Sequence, residues 1–98
     1  MNKHWMVKST NKVDKQAKKL NNAVLLTLRS LLAELKIRGP ALPDWPNYGK
    51  LHNKKGYDKR HCHLQKGKPT YVCCWQVINK QLRIIEVYYV GTHEKAPY

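Results

Sequence analysis

The chain has 98 residues, which is enough for one domain and too few for two. Hydrophobic residues make up 42% of it, so it can bury a core, and this argues against wholesale disorder. Lysine and arginine number 19 against 6 acidic residues, and the formal net charge is +13. A charge this high predicts a polyanionic partner, with nucleic acid first, an acidic protein segment second and a membrane surface third.

The expected cellular location follows from the apolar runs and the cysteines. No apolar stretch approaches the roughly 18 residues of a membrane-spanning helix, and residues 1–8 contain no apolar signal segment. The cysteines, Cys62, Cys73 and Cys74, are odd in number and include two neighbours, which does not make a disulfide framework. We therefore expect a cytoplasmic protein with reduced thiols and no membrane partner. No C-x-x-C pair supports a structural zinc site.

The first half of the chain predicts a strand and two helices. Residues 4–8 read as a short first strand. Apolar residues at helical spacing then predict a first helix, with the stripe Val13, Ala17 and Leu20, and Ser9, Thr10 and Asn11 are its candidate caps. After Asn21-Asn22, a longer stripe predicts a second helix that ends at Gly39-Pro40. Its members are Val24, Leu25, Leu28, Leu31, Leu32 and Leu35.

The second half predicts β structure. Residues 39–56 are rich in proline and glycine and predict an irregular connection. Three strands are expected over residues 57–65, 71–78 and 82–90, with turns at residues 67–69 and 79–80 between them. The fold class is therefore α+β: residues 1–98 form one domain, with a short first strand, two helices, and then three antiparallel strands. Both helices pack on one face of a mostly antiparallel sheet.

His61 and His63 are the first candidates for chemistry. Strand residues two apart point the same way, so these side chains share a face, about 6–7 Å apart at Cβ, while Cys62 and Leu64 face the helices. Lysine and arginine neighbours surround them. RNA cleavage by an internal 2′-hydroxyl needs this set: one group takes the 2′-OH proton, another protonates the leaving 5′-oxygen, and cations hold the phosphorane charge. Histidine titrates near neutrality, so either ionic form is available.

Other interpretations of these side chains remain open. The two histidines can be an exposed strand face with no task, or two ligands of a metal site for which nearby carboxylates are scarce. His93 follows the last strand and can reach back over the sheet. Tyr98 ends the chain and is either a frayed end or a platform on which a base stacks. His52, in the loop before the first of the three strands, is a weaker candidate.

Three segments resemble a known family. Residues 60–64 are similar to the R-x-C/A-H-L/V-type strand of YafQ-like toxins, and residues 71–77, YVCCWQV, resemble a Y-R-x-x-Y-x-V strand. Residues 90–93, VGTH, resemble a V-G-x-H/R ending that an aromatic residue follows. The order and spacing of these three segments resemble the RelE/ParE superfamily of bacterial toxins, closest to its RelE/YafQ-like branch. The arrangement of two helices followed by strands, which covers the whole chain, agrees with this resemblance.

The resemblance implies a RelE-like fold and a ribosome-associated endoribonuclease that cuts mRNA without metal or small-molecule cofactor. Its products would be a 2′,3′-cyclic phosphate or 3′-phosphate and a 5′-hydroxyl. The resemblance maps His61 and His63 onto the paired lysines of RelE, His93 onto the proposed general acid, and Tyr98 near a base-stacking aromatic. We predict His61 or His63 as the base. The predicted RNA-binding residues are Arg60, Lys66, Lys68 and His52. An acidic antitoxin is the expected protein partner, in a toxin-antitoxin hetero-oligomer.

The chain departs from the family pattern at two places, and two other functions compete. Val72 stands where RelE has an arginine, and Lys66 and Gly67 occupy the region of an acidic residue in YafQ-like toxins. A ParE-like gyrase inhibitor would not be an enzyme, but such proteins lack a histidine cluster. A basic RNA-binding domain would expose aromatic residues on the sheet. The candidates for that role are Tyr71, Trp75, Tyr88 and Tyr89, of which we expect Trp75 to be buried.

Overall fold

The computed structural model describes residues 4–51 and 56–98. The helices come together near the start of the chain, and most of the strands follow them. Two helices follow a first strand, and four further strands and a 3-10 helix complete the described part of the chain. The helices are α1 (Asn11–Ala17) and α2 (Asn22–Arg38). The strands are β1 (Met6–Ser9), β2 (Gly49–Leu51), β3 (Asp58–Gln65), β4 (Tyr71–Asn79) and β5 (Ile84–Thr92), and the 3-10 helix is His93–Lys95.

Both helices begin at residues whose side chains satisfy free backbone N–H groups. The Thr10 side chain accepts a hydrogen bond from the N–H of Val13, and Asn21 accepts one from Val24. At the other end of α2, Gly39 has φ 87, a conformation that residues with a Cβ rarely adopt, and its N–H donates to the Leu35 carbonyl. The predicted start and end signals of α2 are therefore the ones that the structure uses.

The sheet has the order β1-β5-β4-β3-β2, and it is mixed because β1 runs parallel to β5 while the other pairs are antiparallel. The α+β class with two helices is confirmed. The prediction of an irregular connection over residues 39–56 was wrong in part, because β2 lies within it and pairs with β3. A three-residue strand is too short to show a periodic pattern, so its existence depends on the partner strand.

The core lies between the helices and one face of the sheet. Val13 of α1 joins it from the first helix, and α2 contributes the buried side chains of Val24, Leu28, Leu31 and Leu35. The sheet contributes Cys62, Leu64, Cys73, Trp75, Ile85, Val87 and Val90. In the described part of the chain, no helix is long and apolar enough to cross a membrane.

A second, smaller cluster lies on the opposite face of the sheet. Val72, Cys74 and Tyr89 are buried there, and Tyr88 and Ala96 pack against them. Strand β4 is therefore covered on both faces, since Val72 to Trp75 are all 0% exposed. The cover on this second face comes from the segment after β5, and that segment carries two of the predicted site residues.

Candidate active site

His61 and His63 lie on the face of the sheet that the helices do not cover. Both are partly exposed, whereas Cys62 and Leu64 between and beside them are buried under the helices, as strand alternation predicts. On the neighbouring strand, His61 is paired with Cys74 and His63 with Val72. The two histidines therefore lie at the edge of the small cluster formed by Val72, Cys74 and Tyr89.

The C-terminal segment brings His93 and Tyr98 over the same face. The backbone N–H of His93 donates to the Thr70 carbonyl at 2.8 Å, which attaches the segment to the start of β4. The Tyr89 hydroxyl donates to the Thr92 carbonyl at 2.7 Å, and Ala96 packs on the small cluster. These contacts turn the chain back after β5, so residues 30 or more positions apart in sequence meet at one place.

Three histidines and one tyrosine come together there, and we call His61, His63, His93 and Tyr98 the histidine cluster. The ring centroids of His63 and His93 are 5.6 Å apart, with the planes at 72°. Tyr98 lies between two histidines, 5.4 Å from His93 and 5.0 Å from His61 by ring centroids. Its hydroxyl is 3.4 Å from Nδ1 of His61, and the tautomer of the imidazole sets which atom donates.

The surroundings favour the neutral form of both strand histidines. Burial lowers the pKa of His61, and the nearby charges of His63 and His93 lower it further. Burial also lowers the pKa of His63, with His93 and Lys66 as the neighbouring charges. A neutral imidazole can accept a proton at neutral pH. Burial raises the pKa of Tyr98, so its hydroxyl keeps its proton under the same conditions.

Two of the predicted RNA-binding lysines lie beside the cluster. Lys66 is close enough to His63 to act on its titration. Lys68 lines a depression of about 450 Å³ together with His93, between the β3–β4 turn and the C-terminal segment. The other lining residues are Gly67, Pro69, Thr70, Thr92 and Glu94. A phosphate next to His93 would therefore lie within reach of a lysine side chain.

Arg60 lies apart from the histidine cluster. Its guanidinium binds both carboxylate oxygens of Asp58, at 2.8 and 2.9 Å, and the Tyr48 hydroxyl at 2.9 Å. Tyr48 in turn stacks on Trp75, which belongs to the core under the helices. Arg60 thus faces the helix side, where its charge is paired, and its role in RNA binding stays a prediction. His52 lies outside the described residues.

Lys59 is one of the basic neighbours of the two histidines in the sequence, but it is not among the predicted RNA-binding residues. It lies two positions before His61 on β3, and its ammonium contacts the ring of Tyr88, 4.8 Å from the centroid. The same period of two that placed His61 and His63 on one face also places Lys59 there and Arg60 on the other. Extending this alternation from His61 back by two residues would have placed Lys59 beside the histidines.

A metal site needs several ligating side chains directed at one point. Among residues 4–51 and 56–98, no group of three or more histidine, cysteine or carboxylate side chains is arranged to hold one. The cysteines near the site are buried and free, and burial raises the pKa of Cys62 and of Cys74 to about 12. These thiols therefore keep their protons at neutral pH, which disfavours their attack on a substrate.

Comparison with solved structures identifies the fold. The structure is similar to an archaeal RelE–RelB complex from Pyrococcus horikoshii OT3, with a TM-score of 0.74 at 18% identity, over 98% of this chain and 100% of that one. It is also similar to a double mutant of the E. coli toxin RelE in the free state, with a TM-score of 0.71 at 22% identity, over 93% and 85% of the two chains. The chain has the RelE fold.

A third RelE-fold structure, the isolated E. coli RelE toxin, matches with a TM-score of 0.65 at 21% identity, over 95% of this chain and 88% of that one. No model of a known protein family matches the sequence, and no curated protein matches it. The RelE likeness is thus a likeness of fold, and the motif-based prediction of that fold is confirmed. The chemical role of the histidine cluster has to be argued from its own residues and not from the fold.

Proposed function

We propose that this chain is the toxin of a toxin-antitoxin pair and acts as an endoribonuclease that cuts mRNA on the ribosome. The observation that carries the proposal is the meeting of His61, His63, His93 and Tyr98 at one place on a strongly basic protein. Transphosphorylation needs two ionisable groups near one phosphodiester, one that removes the 2′-hydroxyl proton and one that protonates the leaving 5′-oxygen. The RelE fold supports the same conclusion.

His63 and His93 are the pair to which we assign proton transfer. Neutral His63 takes the proton of the ribose 2′-hydroxyl, and the 2′-oxygen attacks phosphorus. The bond from phosphorus to the 5′-oxygen breaks, and His93, as the general acid, gives a proton to that oxygen. The products are a 2′,3′-cyclic phosphate and a 5′-hydroxyl. The ring centroids are 5.6 Å apart, so one phosphate lying across both rings would be within reach of both imidazoles.

The remaining members of the site support this pair. Lys66 and Lys68 hold the charge that builds up on the phosphorane oxygens, which Val72 cannot do, since it is apolar and 0% exposed. Tyr98 contacts both His61 and His93, and it is 41% exposed, so it can fix the two rings and offer a face to a base. His61 is then the histidine that orients Tyr98 and the substrate.

The burial of Trp75 and Tyr89 argues against a purely RNA-binding role. Such a domain stacks bases on exposed rings at the middle of its sheet. Here Trp75 is 0% exposed and lies under the helices, and Tyr89 is 6% exposed under the C-terminal segment. A gyrase inhibitor would have no use for three histidines in contact. The cluster therefore favours catalysis over both alternatives.

The test is primer extension on mRNA after brief induction of the chain in a bacterium. Wild type is expected to produce discrete cuts at codon-linked positions, and His93→Ala and His63→Ala to lose them. His4→Ala is the matched control, because His4 precedes β1 and so lies toward the Ile84 end of β5, about 25 Å or more from the Thr92 end. Growth arrest without cuts would replace the nuclease by a gyrase inhibitor, and equal cutting by all variants would remove the histidines from the mechanism.

The toxin proposal also includes a protein partner. One of the similar structures is a RelE–RelB complex, and a net charge of +13 suits an acidic segment lying on this surface. The complex is expected to weaken as salt rises, because screening acts on the charges of the interface. The measurement is copurification with a co-expressed acidic protein whose gene lies next to the gene of this chain, followed by a wash at high salt that should release it. Binding that does not change with salt would contradict a charge-driven interface.

A further inference from the structure

Three side chains beyond the histidine cluster form a second group on the same face of the sheet. Lys59 precedes His61 by two positions, so its side chain starts about 6–7 Å from that of His61 along β3. Its ammonium lies 4.8 Å from the ring centroid of Tyr88 and 5.2 Å from that of Tyr57. We call Tyr57, Lys59 and Tyr88 the tyrosine-lysine group.

The charge of Lys59 is positioned without being neutralised. Among the described residues its ammonium makes no ion pair with a carboxylate. Asp58, the nearest acidic residue in the chain, points to the other side and binds Arg60. Across the sheet, Glu86 accepts a hydrogen bond from Gln76 at 3.0 Å. Contact with two aromatic rings holds a cation in place while leaving its charge available to an anion.

Tyr57 offers a free aromatic face next to this cation. Its side chain is 64% exposed, in contrast to the partly buried Tyr88 on the other side of Lys59. An exposed ring beside a lysine is the combination by which proteins hold single-stranded RNA, since the ring stacks on a base and the cation holds a phosphate.

We propose that the tyrosine-lysine group binds the nucleotide next to the one that is cut. Lys59 holds its phosphate, Tyr57 stacks on its base, and Tyr88 supports the Lys59 side chain from below. The proposal rests on the proposed ribonuclease function and deepens it, because the RNA would run along β3 from the histidine cluster towards Tyr57. Since every base has a stacking face, this contact adds affinity without selecting a sequence.

The experiment measures binding apart from cutting. A fluorescent oligoribonucleotide with 2′-O-methyl groups cannot be cleaved by 2′-attack, so its affinity is measured with the intact protein, both free and in the decoding site of ribosomes. The variants are Tyr57→Leu, Tyr57→Phe and Lys59→Gln. Lys36→Gln is the matched control for charge, because Lys36 lies exposed on α2, on the other side of the sheet.

The expected results differ between the variants. Tyr57→Leu weakens binding by about 5-fold or more, and Tyr57→Phe does not, because the ring remains. With free RNA, Lys59→Gln lowers the slope of log affinity against log salt by about 0.7, the value for one phosphate contact on a single strand. With ribosomes, Lys59→Gln weakens binding more than Lys36→Gln does.

Three results would overturn the proposal. If Lys59→Gln and Tyr57→Leu bind as tightly as the parent in the setting where the parent binds, the group is not a subsite, and the nuclease function stands untouched. If Tyr57→Phe is as defective as Tyr57→Leu, the ring does not act by stacking. If the parent binds RNA in neither setting, both this subsite and the proposed function fall.

Discussion

Removing one buried leucine from α2 is expected to destabilise the protein far more than removing an exposed one. Leu31 is 0% exposed in the core between the helices and the sheet, whereas Leu26 on the same helix is 62% exposed. Leu31→Ala deletes three carbon atoms, worth about 2.4 kcal/mol at about 0.8 kcal/mol each. The cavity that remains raises the expected loss to about 3–5 kcal/mol.

That loss is a large part of the stability that a chain of this length has. A domain of this size has a free energy of unfolding of about 5–15 kcal/mol. Each kcal/mol shifts its Tm by about 4–8 °C, so the expected fall for Leu31→Ala is on the order of 15 °C or more. Leu26→Ala is expected to change the free energy of unfolding by about 0.5 kcal/mol or less, since little is uncovered and alanine favours a helix.

The assay is urea unfolding followed by circular dichroism, with thermal melts beside it. If the slope of free energy against urea in each variant equals that of the parent, the mutation has changed stability itself and not the compactness of the unfolded state. Equal losses for Leu31→Ala and Leu26→Ala would refute the packing of α2 described above, because they would mean that the two leucines face the same environment.

Two further predictions follow from the site and its support. Lys66→Gln is expected to raise the pKa of His63, because the substitution removes a positive charge that disfavours the imidazolium. An NMR titration of the His63 ring measures this pKa. An unchanged or lower pKa would contradict the placement of Lys66 near His63. Gly91→Ala is expected to cost about 1–3 kcal/mol, because its Cβ would lie 2.6 Å from the hydroxyl of the buried Tyr89. Gly49→Ala is its control, with 3.5 Å to the nearest atom, and equal Tm values for the two variants would contradict the close contact.

The depressed pKa values of His61 and His63 also set the sign of a pH effect on stability. A histidine whose folded pKa lies below its unfolded value binds fewer protons in the folded state, so acidification favours unfolding. The free energy of unfolding is therefore expected to fall as the pH drops below the unfolded histidine value of about 6.5. Within that range the double variant His61→Asn, His63→Asn should respond less steeply in the same urea assay.

Local patterns in the sequence determined the parts of this protein that depend on neighbouring residues alone. The leucine stripe and the Gly39 stop placed α2, because helix faces and helix ends are short-range properties. Alternation placed His61 and His63 on one face of β3 and Cys62 on the other. The same alternation assigns Arg60 to the helix side, apart from the histidines, and its role in RNA binding stays a prediction.

Only the tertiary structure decided which distant residues meet. His93 and Tyr98 reach the strand histidines because the chain turns back after β5 and is attached through Thr70 and the small cluster around Cys74. A tail residue has no periodic pattern that states where it packs, since its position depends on burial offered by strands far away in sequence. Strand β2 and the contact of Lys59 with Tyr88 arise in the same way, from pairing and packing across the sheet that no local run of residues encodes.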